Sequence, residues 1–303
     1  AAQVAAALLQ VPPTPGYNES RILSGSPTQA VWEESTSKVG LDWKIDEDTM
    51  AYLNFSKGFK PGGFNPAIND SFPLDTPRVF DSEKVDAIEV GFKTSLMDRR
   101  MQLNGSYFSY DYKGLQIYKI INNSSVNVNV DADIQGAELE MLYIPEFDPD
   151  ILVDVMFSWL ETKAADNLLL DPKDRAQGDS NWIVLKNIDS GSATGVQYVA
   201  NAAGAVGAAA ICAGLGACIP APNTISPSGV PVYMSRTFLN AIGVPTSDGA
   251  LTNIKGNALP NAPEYTLKLG IQKTWYPSDG IDLTARFDYY MQDESFAREF
   301  NRS

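Results

Sequence analysis

The feature that most limits what this chain can fold into is a two-residue alternation of apolar and polar side chains over long runs. Ile281, Leu283, Ala285, Phe287, Tyr289 and Met291 alternate with Asp282, Thr284, Arg286, Asp288, Tyr290 and Gln292. Successive side chains of a strand point to opposite faces, so such a run sets one face in an apolar medium and the other in a polar one. Tyr265, Leu267, Leu269 and Ile271 repeat the pattern against Thr266, Lys268, Gly270 and Gln272. Ile88, Val90, Phe92 and Leu96 do so against Glu89, Gly91, Lys93 and Ser95, and Val39, Leu41, Trp43 and Ile45 against Gly40, Asp42 and Lys44. Met50–Lys60, Met101–Tyr118, Val128–Ile144 and Ile151–Glu161 read as less regular strands, which brings the total to eight.

The connections narrow the choice. Asp46-Glu47-Asp48, Asp98-Arg99, Glu146–Asp150 and Pro277–Gly280 are tight polar turns of hairpin type. Between the hairpins lie longer stretches: Pro61–Phe80, Lys119–Asn127 and Thr162–Ala258. This reading has short and long connections alternate without exception. An up-and-down transmembrane barrel has that rhythm, with short periplasmic turns and longer outer loops. A bilayer strand needs about 9–11 residues, and several strands here exceed that. Trp43, Tyr143, Trp275 and Tyr276 fall beside short turns, and Trp159, Tyr289 and Tyr290 toward the opposite strand ends, as two interfacial aromatic girdles would. The alternative is a soluble β-sandwich, whose strands usually run about 5–6 residues. The expected fold is therefore all-β: an antiparallel up-and-down transmembrane β-barrel, partial at about eight strands, with one very long extracellular loop.

Composition removes whole classes of function. The net charge is −14, from 23 Lys+Arg and 37 Asp+Glu. Clustered cations are what the phosphate backbone rewards, so no nucleic-acid partner is expected. There is no histidine, and there are two cysteines. Ser-His-Asp and Cys-His catalysis, His-ligated metals and four-thiolate clusters are thereby excluded. No catalytic constellation stands out, and neither an enzyme activity, a resident metal nor a cofactor is expected. Asp111, Asp131 and Asp133 read as solvated carboxylates on polar faces rather than as an acid–base or cation site, and Asp46-Glu47-Asp48 as a solvated turn rather than a calcium site.

Within the large loop, Val196–Ile219 is rich in Ala and Gly and nearly without polar side chains. A hydropathy window would flag a membrane helix. Ala and Gly drive insertion weakly, and the flanking strands require the segment to return to the same side, so a short helix or turn packed on the loop is expected. Cys212 and Cys218, with glycines between, suit a small disulfide ring in an oxidising compartment; the alternative is two buried thiols.

The runs Asn54–Asn65 (NFSKGFKPGGFN), Ser82–Leu96 (SEKVDAIEVGFKTSL), Gln102–Tyr118 (QLNGSYFSYDYKGLQIY) and Leu259–Gly270 (LPNAPEYTLKLG) resemble the C-terminal barrel of TonB-dependent outer-membrane receptors. The resemblance covers most of the chain outside the large loop. It implies a barrel of about 22 strands with a plugged lumen, in the outer membrane of a Gram-negative bacterium. It also implies an N-terminal plug domain through which TonB acts, and a small-molecule ligand such as an iron–siderophore complex. Residues 1–27 then read as an extracellular loop remnant and 28–303 as a partial barrel carrying loop 162–258. No plug, TonB box or terminal aromatic residue is recognised, so the expectation is an interior slice that transports nothing alone. The implied function is TonB-dependent uptake of a scarce nutrient, most readily a ferric siderophore or other iron complex. A passive porin-like channel and a soluble carbohydrate-binding module are the competing readings.

Candidate ligand-binding residues follow from position. Lys57, Phe59, Lys60 and Phe64 end a strand and open an outer loop, where they face an incoming ligand or fold over the barrel rim. Arg78 and Lys119, together with Arg236, lie in the long outer connections and suit an anionic ligand.

Overall fold

A computed structural model describes residues 29–65, 79–121, 124–189, 197–219 and 230–301. Its frame is one antiparallel sheet of eight strands, in the order β1-β2-β5-β6-β7-β8-β14-β15. These strands are β1 (Ser37–Lys44), β2 (Thr49–Lys60), β5 (Glu83–Leu96), β6 (Met101–Ile121), β7 (Ser124–Tyr143), β8 (Ile151–Ala164), β14 (Tyr265–Ser278) and β15 (Ile281–Gln292). Every pair is antiparallel, and neighbours in the sheet are neighbours in sequence once the excursions are set aside. The sheet does not close, so β1 and β15 are edges among the described residues.

The register sorts side chains by face. Leu41, Leu53, Val90, Tyr107, Ala137, Trp159 and Tyr265 stand opposite one another from strand to strand. The next rows on that face are Trp43, Ala51, Phe92, Gly105, Leu139, Phe157, Leu267 and Met291, and then Leu103, Met141, Val155, Leu269 and Tyr289. Many of these large apolar side chains are exposed, Leu41 at 66% and Trp43 at 64%. The opposite face carries Asp42, Lys44, Lys93, Glu138, Glu140, Asp154, Lys268, Arg286 and Asp288. Its carboxylates and cations interact: Arg286 binds Asp154 at 2.6 Å and Asp288 at 2.7 Å. An exposed apolar belt backed by a charged face inverts the water-soluble arrangement and matches a wall with lipid outside and water inside.

Three short turns close the hairpins at one end: Ile45–Asp48, Met97–Arg100 and Ile144–Asp150, with Asp279-Gly280 as the fourth. At the other end the structure departs from the expected rhythm. The β6–β7 ladder resumes at Leu115↔Val130 beyond one irregularity and runs to Ile121↔Ser124, so residues 119–121 and 124–127 are strand rather than parts of a long loop. Only residues 122–123 separate the two strands, and they lie outside the described residues. The irregularity is a β-bulge between Tyr112 and Leu115. Gly114 takes φ +66°, a left-handed conformation that favours glycine. Its amide donates to Asp131 Oδ1 at 2.7 Å. The bulge shifts the alternation phase by one residue, so Leu115, Ile117 and Lys119 share the inward face with Tyr112. β6 has 21 residues, about 70 Å of strand, so the hairpin stands well above the bilayer.

The connection from β2 to β5 contains the small hairpin β3 (Gly63–Phe64) and β4 (Val79–Phe80). The large loop is a folded lobe. It holds β9 (Leu168–Leu170), β10 (Trp182–Lys186), β11 (Gln197–Asn201), α1 (Ala202–Cys212), a 3₁₀ turn (Ala213–Leu215), α2 (Arg236–Ala241), β12 (Thr246–Ser247) and β13 (Leu251–Asn253). β10, β11 and β12 form one sheet, and β9 pairs with β13. Six alanines favour α1 against its two glycines, and the Asn201 side chain caps it by accepting the Gly204 amide at 3.0 Å. Ser235 caps α2 the same way at 2.9 Å from the Phe238 amide. Among the described residues no helix is long and apolar enough to cross a membrane. Leu185, Tyr198, Ala205, Ala208, Val230, Met234, Phe238 and Leu239 fill the lobe core. A second cluster of Val128, Val130, Ala164, Leu169, Ile254 and Phe300 joins the tall hairpin to the lobe base and the final segment.

Cys212 and Cys218 are bonded to each other, with Cα atoms 5.4 Å apart. The bridge ties the end of α1 to Cys218, which bridges to Met234 beside α2. A ring this short contributes about 2 kcal/mol in the chain-entropy account. Cys212→Ser is therefore expected to loosen the lobe and leave the strand wall intact. Protease digestion of whole cells, with and without reductant, checks this: identical cleavage patterns would mean that the bridge contributes nothing.

Candidate functional site

The polar face holds a concavity of about 590 Å³, lined by residues of β2, β5, β6, β7 and β8 and by Leu259, Pro260 and Ala262. Its position follows from local sequence. Leu259, Pro260 and Ala262 belong to the segment entering β14, held by the Leu259 amide donating to Thr162 Oγ1 at 2.9 Å. The strand floor carries aromatic side chains in the polar phase of the alternation: Tyr52, Phe108, Tyr110 and Tyr112. Two of them sit opposite glycines, Tyr52↔Gly91 and Phe108↔Gly136. A Cβ at Gly91 would lie 2.5 Å from Tyr52 Cζ, and one at Gly136 2.5 Å from Phe108 Cζ. Only glycine leaves room for these rings to lie over the partner strand. Phe108 and Tyr110 stack, with centroids 4.9 Å apart and planes 19° off parallel.

Among the residues lining the concavity, Glu89, Glu138 and Glu140 are carboxylates and Lys93 is the cation. Tyr52 Oη donates to Glu89 Oε1 at 2.7 Å. A smaller concavity of about 340 Å³ shares Glu89, Tyr110 and Tyr112 and adds Lys38, Asn54 and Ser56. Among the described residues no group of His, Cys, Asp and Glu could hold a metal ion. The arrangement offers ring surfaces, hydrogen bonds and negative charge.

The sequence-derived candidates do not converge on this floor. Lys57 and Phe59 lie on the opposite face of β2 from Tyr52. Lys57 pairs with Asp86 at 2.8 Å and stands 5.8 Å from the Phe55 ring centroid. Lys60 shares the inward face and stands opposite Glu83. Phe64 is in β3, edge-on to Trp32 at 6.3 Å. Lys119 is buried on β6 opposite Val126. Arg78 lies outside the described residues. Arg236 is built into the lobe, bonded to Asp248 at 2.6 Å and set 5.7 Å from the Tyr198 ring. Nearby, burial pushes the Arg175 guanidinium below its usual pKa and the Tyr198 phenol above its own. The floor residues had one signal in the sequence: Phe108, Tyr110 and Tyr112 occupy alternate positions where a water-facing row expects polar side chains.

Residues 15–218 match the family described as TonB dependent receptor-like, beta-barrel. Among solved structures, the ferric yersiniabactin uptake receptor FyuA from Yersinia pestis is similar at 14% identity and a TM-score of 0.48, covering 88% of this chain and 27% of that one. The siderophore receptor PiuA from Acinetobacter baumannii matches at 14% identity and 0.44, covering 88% and 27%. BauA, the ferric preacinetobactin receptor of the same organism, matches at 13% and 0.47, covering 88% and 26%. The chain thus spans about a quarter of the length of these receptors.

Proposed function

Because the chain belongs to the TonB-dependent receptor β-barrel family, we propose that it forms part of the wall of a transport receptor that admits a scarce nutrient, an iron complex such as a ferric siderophore, using energy passed from TonB. The protein is an outer-membrane one. One observation carries the reading furthest. A single sheet turns an apolar belt outward and a charged, aromatic-floored concavity inward, with a folded lobe raised at one end. A ligand path needs all three: a surface that lipid accepts, a wet interior, and an outer structure that meets the ligand first. A plug domain inside the barrel would couple TonB to this wall, as the family resemblance implies. No covalent step is required.

Deletion of the gene in its host tests this with radioactive iron presented as a panel of siderophore complexes. Uptake of at least one complex is expected to fall to background, and the same loss is expected when TonB alone is removed. Undiminished uptake of every complex would overturn the iron reading. Uptake that survives loss of TonB would make the protein a passive channel.

A further inference from the structure

We propose that the end of the β6–β7 hairpin is a post that makes two outer connections and the segment after β15 open and close as one body. Beyond Lys84↔Lys113 and Ala132↔Ala164 the hairpin has left both neighbouring strands, so from Leu115↔Val130 to Ile121↔Ser124 it is a two-stranded ribbon. Such a ribbon is marginal in water by itself, and here each of its faces is occupied. The run Val126-Asn127-Val128-Asn129-Val130 sets valine on one face and asparagine on the other. The asparagine phase, with Gln116 opposite Asn129, holds the β2–β5 connection. Asn129 exchanges two hydrogen bonds with the Asp81 main chain, at 2.8 and 2.9 Å, and Gln116 Nε2 donates to the Pro61 carbonyl at 2.9 Å. Asn65 completes the clasp by pairing its side-chain amide with both main-chain polar atoms of Asn127, at 2.6 and 2.9 Å. The valine phase holds the base of the lobe and the segment after β15. Val128 and Val130 pack in one buried cluster with Leu169, Ile254 and Phe300. Next to Phe300, the Glu299 carbonyl accepts from Asn257 Nδ2 at 2.8 Å. The clasped pieces have little structure of their own: β3 and β4 are two residues each, β9 and β13 three. Ribbon and connections cannot part without exposing apolar side chains and unpaired main-chain groups on both. Opening is therefore cooperative across the ribbon. The upper lobe core around Phe238 shares no residue with this cluster and stands outside the unit. On the transport reading above, an arriving ligand meets a mouth whose shape is set before it binds.

Native-state hydrogen exchange on the purified full-length receptor in detergent, at rising urea below the unfolding transition, tests this with no ligand and no substitution. Four amides report, each hydrogen-bonded within the unit: Asp81 to Asn129, Asn127 to Asn65, Ile254 to Asn167 and Asn261 to Phe296. They are expected to merge onto a single opening isotherm, with one free energy and one urea slope. Asn129→Ala, which removes the clasp on one face, is expected to speed exchange at least about tenfold at Ile254 and Asn261 on the other. Val128→Ala is expected to do the same to Asp81. Separate isotherms in the unsubstituted receptor, or variants whose effect stops at the face they alter or reaches neither, would overturn the proposal. The isotherms decide it even if neither variant folds. Failure here leaves the transport reading untouched, because no import is measured. A receptor that imports no iron complex can still show one isotherm, and then only the iron assignment is lost.

Discussion

Leu139→Arg is expected to remove most of the protein from the outer membrane, while Ser158→Arg leaves its amount nearly unchanged. Leu139 is on the outward face of β7, 40% exposed, opposite Gly105 on β6 and Phe157 on β8. Its row is apolar across the sheet, and the row beyond it, Leu103, Met141, Val155 and Leu269, is apolar too. A guanidinium at that height has no carboxylate in its own row and a long way to reach either interface. Placing Arg at the lipid-facing midplane of a barrel costs about 2–4 kcal/mol, a large share of a marginal stability of about 5–15 kcal/mol. Ser158 is one position away on β8 in the other phase, opposite Glu138, so an arginine there enters a wet, negatively charged face. Immunoblots of outer-membrane fractions measure both variants. Were the outward face in water instead, arginine at Leu139 would be harmless, and equal recovery of the two variants would refute the orientation of the wall.

The wall was legible because alternation is a direct consequence of strand geometry. Runs such as Ile281–Gln292 can satisfy both phases only between two media, and the eight strands read from the sequence are those of the large sheet. Tight turns were legible from Asp, Gly and Pro chemistry at positions such as Asp279-Gly280. The end of β6 beyond Tyr118 and the start of β7 before Val128 were not, because the polar run Asn122-Asn123-Ser124-Ser125 carries loop chemistry. The lobe was visible only in outline. Val196–Ile219 announced a helix, but β10–β11–β12 and the packing of Phe238 on Tyr198 and Met234 are contacts between distant residues that no local pattern encodes. The concavity was missed for a related reason. Tyr52 meets Glu89 across 37 positions, and the glycines beneath the rings acquire meaning only through register.

Phe238→Ala is the prediction that separates lobe from wall. Phe238 is 1% exposed and packs in a cluster with Leu185, Tyr198, Met234, Leu239 and the disulfide. Its truncation should cost about 3–5 kcal/mol. The lobe has a small core, and small cores have little stability to lose. A deficit of that size is expected to open it. The wall draws on other terms. Its ladders from Ser37 to Gln292 and its lipid-facing belt include no contact with Phe238 among the clusters that hold the lobe. The variant should therefore reach the outer membrane in normal amount and show new protease cleavage between residues 165 and 258 on intact cells. Uptake should fall if the lobe helps capture the ligand. Tyr198 is the internal check, since its hydroxyl donates to the Met234 carbonyl at 2.9 Å. Tyr198→Phe keeps the ring, loses that one bond, and should open the lobe far less. A Phe238→Ala protein with unchanged protease resistance would show that the lobe is held from the wall rather than by its own core.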